Sequence, residues 1–148
     1  MAAAGDVDRA SEQHHVPAQV SVAASLPNLA VIRSVVESVL LTEDFSIADV
    51  SDVVLGVDEI ATQIITRSRE TDTVGCSLLA VPAGVAVEVR GVLRSASTLS
   101  TDGFGWHVVQ TVADSVTIDV AGVAPDREVL VRLAKTRSTA TGIDRPPL

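Results

Sequence analysis

Aromatic residues are nearly absent from this chain. They amount to 2% of its 148 residues: Phe45, Phe104 and Trp106, with no tyrosine. Platforms that bind RNA or single-stranded DNA by stacking bases on exposed rings are therefore excluded. Basic charge is also short. The formal net charge is −8 at pH 7, and Lys135 is the one lysine beside ten arginines. No basic footprint for direct nucleic-acid binding is visible. The single cysteine, Cys76, excludes an internal disulfide and a multi-cysteine metal site, and its apolar run Thr73–Leu79 reads as a buried strand. No run approaches 18 uninterrupted apolar residues, so no membrane span is expected. The first residues, Met1-Ala2-Ala3-Ala4-Gly5-Asp6, lack a basic start and an apolar stretch, so they do not read as a signal peptide. A soluble, cytoplasmic protein is the expectation.

What is abundant is apolar and β-branched. The sequence is 47% hydrophobic and holds 26 valines, which rules out a disordered chain and supplies a real core. Residues 1–17 and 137–148 read as flexible tails around one domain at 18–136. Within it, Gln19–Ala24 alternates as a strand. Ser25 and Pro27 open a helix on which Leu29, Ile32, Val36, Val39 and Leu40 form one face, with Arg33 and Glu37 spaced to pair at its surface. Ser46 and Asp49 resemble a capping box for a second helix, whose apolar stripe runs Ile47, Val50, Val54, Val57, Ala61 and Ile64. Strands follow at 74–81 and 85–92, joined at Pro82-Ala83-Gly84, then a polar loop at 94–102. A short helix from Trp106 and strands near 115–122 and 127–134 complete an α+β order of β-α-α-β-β-α-β-β. The sheet should be mixed but mostly antiparallel, with the helices on one face as a two-layer sandwich.

Two constellations carry chemistry. Glu59 and Gln63, four apart on the second helix, project from one face together with Asp52 and Gly56. A carboxylate there can polarise a hydroxyl, and an amide carbonyl can help hold a metal nucleotide. The same stripe is also what a solvated helix face looks like. Asp102-Gly103-Phe104-Gly105 precedes a helix, and its glycines allow close backbone approach to phosphate at the helix amides. A plain turn accounts for the glycines equally well. His14, His15 and His107 have no second ligand at zinc-like spacing, and Trp106 reads as a core or rim anchor.

Taken in order along the chain, these residues resemble a known family. Leu26–Arg33 is similar to the first-helix start, Val57–Gln63 to the N box, and Gly103–Gln110 to the second glycine box of the histidine-kinase-like ATPase (Bergerat) domain. The resemblance is to its RsbW-type anti-sigma factors, of the actinobacterial anti-sigma-F subgroup, and covers about residues 18–136. It implies a homodimer that sequesters an alternative, stress-response sigma factor and is relieved by a STAS-type antagonist. Active members phosphorylate that antagonist on serine with ATP and Mg2+. By position, Glu59 would be the catalytic carboxylate, Asp102, Gly103 and Gly105 would bind nucleotide, Gln63 would bind nucleotide and metal, and Arg33 would face the protein partner. The chain departs from the pattern in three places. Gln63 stands where the family has asparagine, Arg90 where it has an adenine-binding aspartate, and the ATP lid between Gly91 and Asp102 is short. A stoichiometric anti-sigma factor with weak or degenerate ATP binding is therefore the first expectation. An ATP-dependent serine kinase is the alternative, and an α+β domain with an unrelated binding role is a third.

Overall fold

A computed structural model of the chain describes residues 18–123 and 125–138. The element order expected from the sequence is present. Strand β1 (Ala18–Ala23) is followed by a 3-10 turn, Leu26–Asn28, and by helices α1 (Leu29–Thr42) and α2 (Ile47–Thr66). Strands β2 (Thr73–Val81) and β3 (Gly84–Leu93), helix α3 (Phe104–Val112), and strands β4 (Ser115–Ala121) and β5 (Arg127–Thr136) complete it. The first helix departs from the expectation at its start. Ser25 accepts no capping bond, and Pro27 lies in the 3-10 turn that precedes the α-helix. The second starts as read, with Ser46 Oγ accepting the Asp49 amide at 3.1 Å.

The five strands form one sheet in the order β1-β2-β3-β5-β4, and every neighbouring pair is antiparallel. The expected mixed sheet thus has no parallel pair among its described strands. The chain leaves β3 for α3 and returns through the β4–β5 ribbon, which places β5 antiparallel to β3. Pro82 and Ala83 alone join β2 to β3, since Val81 pairs with Gly84.

Alternation decides which face is covered. Val74, Cys76 and Leu78, Val85, Val87 and Val89, and Val129, Val131 and Leu133 point to one side, where they are buried beneath the helices. Burial in this apolar layer pushes the Cys76 thiol up to about 12. Helix α2 lies at the centre of the helical layer, packed between α1 and α3 and seated on β3 and β5. Two glycines let it come close. A Cβ on Gly91 of β3 would stand 2.3 Å from Ile64 Cγ2, and one on Gly56 would stand 2.7 Å from Leu133 Cδ1. The opposite sheet face is open. Glu88 takes bonds from Arg90 at 2.6 Å and Arg132 at 3.1 Å, and these two guanidinium groups hold its carboxyl below the usual range.

The first residues of the expected C-terminal tail belong to the fold. Arg137 stacks 3.9 Å over the Phe45 ring. Ser138 donates its amide and its hydroxyl to the Asp49 carboxylate, at 2.9 and 2.5 Å. Asp49 is 2% exposed, and its carboxyl is tied to β5's end rather than back to the Ser46 amide as a full capping box requires. Beside it, Lys135 donates to Val112 O at 3.2 Å and faces Asp52 at 3.3 Å. The expected tails at 1–17 and 139–148 lie outside the described residues. No described helix is long and apolar enough to cross a membrane.

Candidate functional site

The polar stripe of α2 turns away from solvent from Gly56 onward, while the Asp52 side chain stays 42% exposed. Gly56 and Gln63 are buried, Glu59 is half-buried, and the stripe forms a seam against α3 and the loop of residues 94–102. The helix has two inner sides, one apolar on the sheet and one polar on this seam.

Glu59 and the second glycine pair meet in the seam. A methyl group on Gly105 would collide with Glu59 Oε1 and lie 2.4 Å from its carboxyl carbon. The carboxylate therefore rests against the first turn of α3, where unpaired amides and the helix dipole favour a negative group. Gly103 caps this helix with extended backbone. Asp102 is exposed, and its Oδ1 accepts from the Ser100 hydroxyl at 3.3 Å.

Gln63 has a different setting from the one expected of a metal ligand. Its Nε2 donates to Ser100 O at 2.9 Å, and its Oε1 accepts from Ser100 N at 2.8 Å. The side chain is 7% exposed. Its carbonyl oxygen, the atom expected to reach magnesium, accepts from a backbone amide 37 residues along the chain. Nothing in the local sequence announces this pairing, because both partners come from irregular distance in the chain. Two arginines that the sequence reading did not single out act beside it. Arg67 Nε donates to Thr98 O at 2.7 Å, and Arg127 donates to Ser97 O at 2.7 Å.

Arg90 lies on the other side of the sheet from this seam. Strand alternation turns Val89 and Gly91 toward α2 and turns Arg90 to the open face, where it pairs with Glu88. There it lines an open concavity of about 620 Å3 with Ser21, Gly75, Asp119, Leu130 and Arg132. The adenine-site comparison at Arg90 is thus set aside by pleat geometry. Gly91, the next residue along the strand, serves the contact with Ile64.

Arg33 is on the outer surface of α1, but its partner is Asp58 of α2 at 2.7 Å, not Glu37. The pair bridges two helices, with side chains 47% and 33% exposed. Trp106 is buried in the core, as read, while Phe104 between the two glycines is 82% exposed. His107 is exposed. Among the described residues no group of three or more His, Cys, Asp or Glu side chains is placed to hold a metal ion.

Comparison with known proteins gives this geometry a family setting. The chain is 31% identical over 108 residues to the anti-sigma-F factor RsbW of Mycobacterium tuberculosis, in each of two strains. It is RsbW-like. The aligned stretch covers 73% of this chain and 64% of the relative, so the chain spans less than two thirds of the curated relatives' length. No family model matches the sequence. The same fold occurs in a chain of the SiaB–SiaC complex from Pseudomonas aeruginosa, with a TM-score of 0.67 at 9% identity, covering 86% of this chain and 95% of that one. It also occurs in a structure of RsbU and RsbW domains from M. tuberculosis, with a TM-score of 0.51 at 12% identity, covering 85% of this chain and 35% of that one. The expected α+β fold, a sheet with its helices on one face, is the fold the chain shares with these structures.

Proposed function

We propose that this RsbW-like chain is a cytoplasmic anti-sigma factor that sequesters an alternative, stress-response sigma factor by stoichiometric binding and is relieved by a STAS-type antagonist. The observation that carries this reading is the 31% identity to an anti-sigma-F factor, which extends over 108 residues. The surface supports it. Phe104 offers a large exposed ring at the start of α3, and the Arg33–Asp58 pair offers a polar contact across α1 and α2. Aromatic and arginine side chains of this kind are frequent anchors of protein interfaces. A homodimer belongs to the same proposal.

ATP and Mg2+ are secondary in this reading. A magnesium ion needs oxygen ligands in near-octahedral arrangement, and Gln63 Oε1 already accepts from Ser100 N. A phosphate at the first turn of α3 would meet the Glu59 carboxylate resting on Gly105. The residues present do not fit a magnesium nucleotide in this arrangement, so no phosphoryl-transfer step is drawn through them.

The test is calorimetric titration of the full chain with a purified alternative sigma factor and, separately, with a STAS protein. Saturable binding at about micromolar affinity or tighter is expected for a sigma factor. Binding to neither protein would end the anti-sigma reading. Brisk transfer of γ-phosphate to the STAS protein would establish the serine kinase in its place.

A further inference from the structure

The loop of residues 94–102, where the family resemblance places a shortened nucleotide lid, is fastened down by this chain's own side chains. We infer that this loop is a nucleotide-independent lid, locked onto α2 by Gln63, and that the closed form of the seam exists without ATP. Three side chains hold backbone groups of the loop. Gln63 makes two bonds to Ser100, Arg67 bonds Thr98 O, and Arg127 bonds Ser97 O. The loop's first residue adds a fourth attachment, with the Arg94 amide donating to Arg67 O at 2.9 Å. Leu99, between the pinned residues, packs against the apolar core.

The Gln63 contact is the discriminating one. A primary amide has one donor side and one acceptor side, so it can engage both the N–H and the C=O of a single residue. Gln63 does this to Ser100 in the way a neighbouring strand would. The amide is nearly buried, and a buried polar group left without its partner is costly, so the loop and the side chain stabilise each other's position. Gln63 is in this account a positioning residue. It holds the loop, and through Ser100 and Asp102 the loop leads directly into the first turn of α3, with Phe104 at its tip. The first turn of α3 is thereby positioned by contacts within the chain.

Amide hydrogen exchange read by NMR on the full chain tests the lock, with Gln63→Met as the variant. Methionine keeps the length and volume of the buried side chain and removes both bonds. In the unaltered protein the Ser100 amide should exchange slowly, and ATP with Mg2+ at about millimolar concentration should leave its rate unchanged. In the Gln63→Met protein that amide should exchange roughly ten- to hundredfold faster, while amides in the middle of α2 keep their protection. Ser100 exchanging like an open loop in the unaltered protein would overturn the inference. So would protection gained on adding ATP and Mg2+, since nucleotide would then close the lid. A folded Gln63→Met protein with an unchanged Ser100 rate would overturn it as well, and if that variant does not fold the two measurements on the unaltered protein decide. Sigma-factor binding plays no part in these readings, so they stand apart from the anti-sigma proposal.

Discussion

Helix α2 touches glycine on two of its sides, and the two contacts are built differently. On the sheet side, Gly91 lies beneath Ile64, a fully buried, β-branched side chain with one favoured rotamer in a helix. On the seam side, Gly105 lies against Glu59, whose carboxylate ends a flexible chain at a half-buried position. Gly105 falls in the stretch that resembles the second glycine box, and Gly91 follows Arg90, the residue compared with an adenine-binding aspartate. The first is fixed by packing and has no slack. The second leaves room for a group that can swing away. A glycine's neighbour, more than the motif around it, decides what the glycine is for.

Substitution separates the two contacts. Ile64→Ala should destabilise the protein by about 2–5 kcal/mol, the range for losing a large buried aliphatic group. Gly91→Ala should cost roughly 1–3 kcal/mol through overpacking against Ile64. The double variant should be little worse than Ile64→Ala alone, because removing Cγ2 makes space for the new methyl. Denaturant melts of the three proteins measure this, and strict additivity would break the packing side of the comparison.

The polar seam ends at Asp49, and pH sharpens its part. Burial raises the carboxyl's pKa, but bonds from Ser138 and Ser46 and the nearby Lys135 charge outweigh burial and bring it below the ordinary value. A depressed folded value means stability that is present above the unfolded pKa and lost as pH falls through the folded one. Asp49→Asn should cost about 1.5–3 kcal/mol at neutral pH, the range for hydrogen bonds to a charged group. That difference should shrink as pH falls below about 4, where the unfolded carboxyl takes up its proton. Melts across this range check both the size and the slope.

Smaller effects are expected at the surface and at the second glycine. Arg33→Ala removes an exposed bridge to Asp58, so stability should fall by less than about 1 kcal/mol. On the proposed function, sigma-factor binding should weaken by about 1–3 kcal/mol in the same variant, as calorimetry will show. Gly105→Ala should change stability by no more than about 0.5–1 kcal/mol. Glu59 can rotate aside, and alanine's better helix propensity offsets part of the cost. A loss as large as that of Gly91→Ala would erase the distinction between the two glycines.

Periodicity carried the order of elements, the buried face of each strand, the core position of Trp106 and the cap at Ser46. These depend on neighbours a few residues away. Most of the misreadings share one cause, which is that a distant partner outcompeted a near one. Arg33 faces Glu37 one turn on, yet Asp58 on the adjoining helix takes its guanidinium. The stripe of Asp52, Gly56, Glu59 and Gln63 has the polarity of a wet surface, and only the docking of α3 and of residues 94–102 turns it inward. Arg90 sits one pleat from where the motif comparison needs it, and a one-residue step in a strand changes the face. Asp49 could not complete its capping box because Ser138, 89 residues later, claims the carboxylate. Tertiary hydrogen bonds of this kind leave no periodic trace.

The setting of Lys135 reaches into how partners of this protein can be mapped. It carries the only side-chain amine in the sequence. The Lys135 side chain is 15% exposed, and its amine is engaged by Asp52 and by the carbonyl of Val112. Cross-linking reagents that react with amines thus find one poorly reachable side-chain target among the described residues. A silent amine cross-linking experiment would say nothing about whether a partner is bound. Reagents that couple carboxylates, of which the surface has many, will report on the helical face instead.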